Sequence, residues 1–335
     1  MDKKAAFTKD EIQQKLIGQI FQHIGKSPEK KRELAKRLGL SVHALYKRLE
    51  GKTYFKMQEV ASLVNMFQLS FDDLIIDDPF YAKVYLTSQK SPVLSIEDYL
   101  LNLQNLMQSL QPLTETEVTY VAAEVPIFYY FMAPHLGCFK LFTFAKHVWN
   151  ISSLREEDLF RMTLFSPALI EKMKMLWEDY REIHSLEIWT PHIWLTTLTQ
   201  LEYYIDNDLF FSKKDAKNIL LEIQEVILQM RRFILEGSKS NEPDHTTNLH
   251  VLDNRLLYSN NMIRVQKNDK RLLLVTHDNP NYLHVEEGDL LYYTNAWFDK
   301  LLLASESLKR KKQLDDFFSL TNWRIDGLKS KLKMK

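Results

Sequence analysis

The chain has 335 residues, and its 44 lysines and arginines balance 44 aspartates and glutamates, so the formal net charge is zero. The single cysteine, Cys138, excludes an intrachain disulfide, and the eight glycines are too scattered for a phosphate-binding loop of the Walker or dinucleotide type. The polar N-terminus lacks the apolar segment of a secretory signal, and the longest uncharged run, residues 125–139, is shorter than the ~20 residues that cross a bilayer. The scattered glycines argue against an ATP- or NAD-dependent enzyme but do not exclude other enzymes. We predict a cytoplasmic protein with no enzymatic activity, no cofactor, no metal and no membrane contact.

Apolar residues at helical spacing predict two helices near the start of the chain, over residues 9–24 and 29–38. Pro28 precedes the second helix and is well suited to its first turn. Leu34 and Ala35 give this helix an apolar stripe, and the small Ala35 permits a neighbouring helix to approach closely.

A tight turn and a third helix follow. Gly39 is suited to the left-handed conformation that often ends a helix, and Ser41 can cap the next helix by accepting a backbone N–H. Leu45 and Leu49, four residues apart, would pack this third helix back onto the second. The pattern predicts a helical hairpin.

This hairpin resembles the helix-turn-helix of Cro-like and phage-repressor-like (XRE-type) bacterial transcription regulators. The resemblance covers residues 9–76, because residues 56–76 continue with a fourth helix and a closing helix of the form Ser70-x-Asp72-x-Leu74. It implies a five-helix DNA-binding domain whose recognition helix spans about residues 41–50. The family often has a Trp-Glu pair near the end of that helix, where this chain has Arg48-Leu49.

The charge distribution agrees with a polyanionic partner. Residues 1–56 contain 14 lysines and arginines against six acidic residues, a formal charge of +8, so the remainder of this neutral chain carries −8. Such segregation is typical of a segment that docks on phosphates. The alternative is an ordinary helical hairpin with a solvated basic face.

Residues 77–94 are turn-prone and are interpreted as a linker, and residues 95–335 as a dimerisation or sensor domain. From residue 95 the pattern predicts helices for about 140 residues, because possible N-caps are followed three places later by acidic residues. These helix starts are Ser95 with Asp98, Thr114 with Glu117, Ser153 with Glu156, and Ser212 with Asp215.

Short β-branched and aromatic segments predict strands at residues 256–258, 262–265, 271–276 and 282–285, with polar turns between them. The predicted fold class is therefore mainly α: a five-helix helix-turn-helix domain and a large helical domain with a small antiparallel β-meander near the C-terminus.

The last predicted helix carries apolar residues on a heptad-like seam, which favours either packing on its own domain or a subunit contact. The seam residues are Leu314, Phe318, Ile325, Leu328 and Leu332.

Other chemistry has weaker support. His135 and Cys138 could form a base and nucleophile, but burial of both is the simpler interpretation. Histidines and carboxylates around residues 277–289 lack a recognised metal-ligand spacing. Aromatic residues could line a small-ligand pocket or simply form a core; they are Tyr129, Tyr130, Trp149, Trp177, Trp189, Trp194, Tyr203 and Tyr204.

We predict a sequence-specific, DNA-binding transcriptional regulator that acts as a homodimer on double-stranded DNA, with a small-molecule or peptide effector as a further possible partner. The predicted base-contacting residues are Ser41, Val42, His43, Ala44, Tyr46 and Lys47. The predicted phosphate-contacting residues are Lys30, Lys31, Arg48 and Lys52. Two alternatives stay open: a small-molecule-binding or enzymatic C-terminal domain with secondary DNA binding, and a scaffold whose basic module meets an acidic protein.

Overall fold

The computed structural model describes residues 8–25, 27–67, 69, 74, 85–86, 93–240, 248–255, 260–268, 270–278, 281–285 and 289–334. The chain divides into two compact units, Met1–Ala82 and Lys83–Lys335. Each unit is described by itself, as unit 1 and unit 2.

The regular secondary structure described in unit 1 is helical. Its helices are α1 (Lys9–Ile24), α2 (Pro28–Arg37), α3 (Val42–Leu49) and α4 (Met57–Phe67). Ser70 and Asp72 of the predicted closing helix lie outside the described residues, whereas Leu74 is helical and buried in the core of the unit. That core is built from Leu16, Ile17, Ile20, Ile24, Leu34, Ala35, Leu45, Leu49, Phe55, Leu63 and Leu74.

Unit 2 combines helices with one sheet. Its helices are α5 (Ile96–Ser109), α6 (Ile127–Tyr130), α7 (Pro134–His147), α8 (Ser152–Arg155), α9 (Pro167–Glu182), α10 (Leu195–Asp206), α11 (Lys213–Glu236), α12 (Asp289–Leu303), α13 (Lys311–Phe317) and α14 (Ser319–Lys331). Within the described part of the chain, none of the helices has both the length and the apolar composition needed to cross a membrane.

The described strands of unit 2 form one mixed sheet in the order β1-β7-β6-β5-β2-β3-β4-β8. They are β1 (Tyr85–Leu86), β2 (Glu117–Ala122), β3 (His184–Trp189), β4 (Leu249–Asp253), β5 (Met262–Lys267), β6 (Lys270–Asp278), β7 (Asn281–Val285) and β8 (Glu306–Ser307). Of the predicted linker, residues 85–86 therefore pair with this sheet.

The predicted fold class is wrong for unit 2, because its sheet is mixed and is not a small antiparallel meander near the C-terminus. Strands β2, β3 and β4 are parallel, and β5 joins them by pairing antiparallel with β2. Parallel strands need long crossover connections, and helices α6–α9 and α10–α11 supply them here. The predicted helix start at Thr114 with Glu117 is instead a single 3₁₀ turn that leads directly into β2.

Alternate residues of the central strands enter two different cores. Val121 and Ile188 belong to one core with Phe298 of α12 on one face of the sheet. Tyr120 and Trp189 belong to the larger core on the opposite face, with the helices α5–α11, α13 and α14. The sheet is thus a layer covered on both faces, as buried parallel strands require.

The aromatic residues of unit 2 pack mainly against one another. Tyr129 and Trp189 lie with ring centroids 5.8 Å apart, and Tyr130 and Trp194 with centroids 5.7 Å apart; all four are fully buried. Edge-to-face pairs of this kind stabilise cores. The core interpretation of these aromatic residues therefore fits the structure better than a ligand pocket.

The C-terminal seam also packs within unit 2. Leu314, Phe318, Ile325, Leu328 and Leu332 are all buried in its larger core, and the predicted single helix is divided into α13 and α14. A seam that is already covered offers no subunit contact.

A polar network crosses the larger core around Glu187, whose side chain is fully buried. Its carboxylate accepts hydrogen bonds from Tyr129 Oη (3.0 Å), Tyr180 Oη (2.9 Å), Ser185 Oγ (3.0 Å) and Trp189 Nε1 (2.9 Å). Four donors satisfy a carboxylate that burial would otherwise make very costly.

Lys239 extends the same network. Its ammonium donates to the Ile183 carbonyl (2.7 Å) and Ser185 Oγ (3.0 Å), and it lies 4.3 Å from the ring centroid of Tyr180. Burial lowers the pKa of Lys239 to about 8, although the nearby Glu187 and Glu182 carboxylates favour its charged form.

We expect the stability of the protein, relative to Lys239→Met, to rise by about 1–2 kcal/mol between pH 8 and pH 10. Between the folded pKa of about 8 and the ordinary value of 10.5, the unfolded chain binds more protons than the folded chain, so raising the pH favours folding. Urea unfolding followed by tryptophan fluorescence measures this, because every tryptophan belongs to unit 2. A stability difference that stays flat or falls over this range would contradict the assignment.

Candidate nucleic-acid interface

The α2–α3 hairpin of unit 1 is held by local hydrogen bonds. Gly39 adopts a left-handed φ of +66°, and the Leu40 N–H donates to the Ala35 carbonyl at 2.9 Å. The Ala44 N–H donates to Ser41 Oγ at 3.1 Å, which confirms Ser41 as the N-cap of α3. The turn thereby fixes where α3 starts.

One side of α3 is anchored by leucines. Leu45 and Leu49 are buried in the same core as Leu34 and Ala35 of α2 and Leu63 of α4. Burial of a leucine contributes about 1.5–3 kcal/mol relative to its exposure, so this side strongly resists rotation of the helix about its axis.

A bidentate ion pair ties α3 to α4. Arg48 Nε lies 2.7 Å from Glu59 Oε2, and Arg48 Nη2 donates to Glu59 Oε1 at 2.9 Å. Arg48 Nη1 also donates to the Ala44 carbonyl, and the Lys56 N–H donates to Glu59. The side chains of Arg48 and Glu59 are only 12% and 10% exposed.

This pair argues against the phosphate-contacting role predicted for Arg48. Its guanidinium is already occupied by a carboxylate and a backbone carbonyl in a largely dry environment, so binding a phosphate would require breaking the pair. Arg48 positions α3 instead.

Gln13 of α1 fixes the loop that follows α3. Its amide nitrogen donates to the carbonyls of Arg48 (3.1 Å) and Thr53 (2.9 Å), and its amide oxygen accepts the Phe55 N–H (3.2 Å). Tyr54 Oη in the same loop donates to an Asp10 carboxylate oxygen, and this bond raises the pKa of Tyr54.

The outward face of α3 presents the predicted base-contacting side chains. Val42, His43 and Lys47 are exposed, and Tyr46 is half-buried. His43 and Lys47 are one helical turn apart, so their side chains project from the same side of the helix. The structure therefore brings together the predicted residues of α3, with Ser41 exposed and Ala44 half-buried at the start of the same face.

The three predicted phosphate-contacting lysines are at least partly exposed, and Lys31 lies beside Tyr46 of this face. Lys30 is exposed on the first turn of α2, and Lys31 Nζ lies 5.1 Å from the ring centroid of Tyr46 and 5.4 Å from that of Phe21. Lys52 is exposed and lies 2.6 Å from Glu50, whose carboxyl pKa is lowered by that contact. An exposed pair of this kind contributes little to stability and can exchange for a phosphate.

The other candidate chemistry lies in unit 2. Cys138 is buried, and burial raises the pKa of its thiol, so this thiol is unsuited to nucleophilic attack. His135 instead binds the Glu222 carboxylate through Nδ1 (2.8 Å) and Asn218 through Nε2 (3.0 Å). These contacts agree with the prediction that both residues have structural rather than catalytic roles.

A groove of about 450 Å³ lies between α9 and α11, within the volume range of small-ligand sites. Its charged lining mixes cations and carboxylates, so charge alone selects no class of ligand. These residues are Lys174, Arg181, Lys239, Glu178, Glu222 and Glu225.

Two positioning residues, Gln13 and Glu59, were not predicted. Gln13 is buried among the apolar residues of α1, and a polar residue in such a position is a signal that it satisfies buried backbone groups. Glu59 gives no comparable signal, because its partner Arg48 lies on another helix.

Comparison of the chain with protein-family models, with curated proteins and with solved structures found no match.

We expect Arg48→Ala to destabilise unit 1 by about 3–5 kcal/mol, because it leaves the buried Glu59 carboxylate unpaired. The double variant Arg48→Met with Glu59→Leu removes both charges and should recover most of that loss. Hydrogen exchange of peptides from α3 and α4 in the full chain reports unit 1, while tryptophan fluorescence reports unit 2 as the internal control. Equal protection of the Arg48→Ala and wild-type peptides would show that the ion pair does not hold α3.

Proposed function

We propose that the protein is a sequence-specific, double-stranded-DNA-binding transcriptional regulator that inserts α3 into the major groove. The observation that supports this most directly is the two-sided character of α3. Its inner side is fixed by Leu45, Leu49 and the Arg48–Glu59 pair, while its outer side presents varied polar and small apolar groups. A rigid helix with such a face is what direct readout of bases requires.

The side chains of the outer face suit different base edges. His43, Tyr46 and Lys47 can hydrogen-bond to acceptors on bases, and a lysine favours the guanine O6 and N7 atoms. Val42 or Ala44 supplies the apolar surface that recognises a thymine methyl group. Ser41 uses its oxygen as a helix cap, and its hydroxyl hydrogen remains for an acceptor at the groove edge.

Phosphate binding is assigned to Lys30, Lys31 and Lys52. They lie on α2 or in the loop after α3, outside the face that reads bases. The formal charge of +8 on residues 1–56 supports counterion release as the main source of affinity.

Unit 2 would provide dimerisation, effector sensing or both, in a cytoplasmic protein. A single helix-turn-helix module binds weakly, and a two-fold dimer on paired half-sites is the usual solution. A small-molecule or peptide effector stays a prediction, and no residues are assigned to its binding.

Selection of random DNA duplexes by the full chain at about physiological salt should recover one preferred sequence. Lys47→Ala and His43→Ala should change the base preference at one or two positions and weaken the wild-type site by about 1–3 kcal/mol each. Both residues are exposed, so stability should not change. An unchanged motif with unchanged affinity would eliminate them as base readers, and no enrichment at all would favour the acidic-protein scaffold.

Lys30→Ala should weaken binding to all duplexes alike and reduce the slope of log affinity against log salt by about one. Lys312→Ala is a matched control, because it is also an exposed helical lysine but belongs to unit 2. Titration of one duplex at several salt concentrations measures the slope. A change in the preferred sequence after Lys30→Ala would show that Lys30 reads bases.

A further inference from the structure

Three leucines form an exposed line along α11, the 24-residue helix of unit 2. Leu221, Leu228 and Leu235 are 51%, 60% and 49% exposed. Their spacing of seven residues is within about 20° of two full turns, so they share one crest about 21 Å long. The crest lies opposite the residues that α11 buries, which include Ile223, Val226 and Met230.

Single exposed leucines are common on protein surfaces, but a straight row of three on one helix is not random scatter. α11 is also one of the most firmly held helices of unit 2, since nine of its side chains are buried. The crest is therefore a preformed apolar ridge, and burying it would require no rearrangement of the helix.

Charged side chains flank the ridge asymmetrically. Helical geometry places Glu225 and Arg232 on one flank, and Gln224 and Arg231 on the other. Arg231 is bound to Asp315 and the Leu314 carbonyl of α13. Arg232 Nε lies 3.8 Å from Glu236, with its side chain 38% exposed.

We infer that the ridge is the contact between two copies of this chain, which pair their α11 helices antiparallel about a two-fold axis at Leu228. This symmetry places Leu228 against itself and Leu221 against Leu235 of the second copy. A two-fold contact uses the same surface on both subunits, so a self-complementary ridge is what it needs. The contact specifies the dimer of the proposed function, although its chemistry does not depend on DNA binding.

The flanking charges select the antiparallel arrangement. A two-fold axis perpendicular to the helices brings Glu225 of one copy beside Arg232 of the other on the same flank, and it does so twice. A parallel arrangement would instead bring Arg232 beside Arg231 of the second copy. Opposite charges along a helix pair set its orientation, and like charges oppose it.

Sedimentation equilibrium of the full chain without DNA tests the contact. The wild-type protein should be a dimer, and Leu228→Glu should raise the dimer dissociation constant at least tenfold. Leu101→Glu is the matched control, because Leu101 is a 46% exposed leucine on α5 of the same unit. A monomeric wild-type protein, or a dimer that Leu228→Glu and Leu101→Glu affect equally, would overturn the inference.

Charge reversal tests the register. Glu225→Arg and Arg232→Glu should each weaken the dimer, and the double variant should recover affinity because the pair is restored with its signs exchanged. Failure of the double variant to bind more tightly than both single variants would contradict this pairing.

Cysteine crosslinking tests the orientation. Native Cys138 is buried, so introduced cysteines can be oxidised selectively. Leu228→Cys should crosslink to itself, and a mixture of Leu221→Cys and Leu235→Cys proteins should give the mixed product. Self-crosslinking of Leu221→Cys would instead show a parallel pair. If these crosslinks form but the protein binds no DNA, the proposed function is wrong and this contact is not. If the protein binds DNA but these crosslinks do not form, this contact is wrong and the proposed function is not.

Discussion

The buried ion pair between Arg48 and Glu59 is the constraint on which the geometry of α3 depends. A largely desolvated charge is costly unless it is paired and hydrogen-bonded, and here the Ala44 carbonyl and the Lys56 N–H complete the partners. Burial of the leucines limits rotation of α3 about its axis but does not fix one orientation, because apolar contacts are not directional. The bidentate pair adds direction, so the orientation of His43 and Lys47 follows from a contact on another side of the helix.

The elements of unit 1 could be predicted because their signals are local. Gly39, Ser41 and Leu45 lie within seven residues, and each specifies a turn, a cap or a buried position through its own chemistry. The positioning contacts could not be predicted, because Gln13 binds carbonyls 35 and 40 residues away. Arg48 was assigned to phosphates since it is a cation on a polar helix face, and its partner is visible only when α4 is packed beside α3.

The same distinction explains why the sheet of unit 2 was predicted only in part. Strands β5, β6 and β7 are separated by only two residues each, and their sequences indicate the antiparallel arrangement that they adopt. Strands β2 and β3 are each six residues long and pair in parallel, with Glu117 opposite His184. Several helices lie between these two strands in the sequence. Their short apolar segments cannot be distinguished from buried helix by periodicity alone, and Thr114 with Glu117 imitates a helix start. The parallel pairing that decides the fold class is stabilised by contacts distant in sequence.

In the proposed regulator, charge and symmetry assign different roles to the two units. Residues 57–335 carry −8 and residues 1–56 carry +8, so the proposed binding of DNA phosphates is assigned to residues 1–56. One such module offers few base contacts, whereas two modules held in one dimer bind the second half-site at a raised effective concentration. A two-fold dimer of the proposed regulator would favour a DNA site whose half-sites are inverted repeats. The ridge on α11 and the predicted base-contacting residues of α3 have no residue in common, so separate variants can test the two proposals.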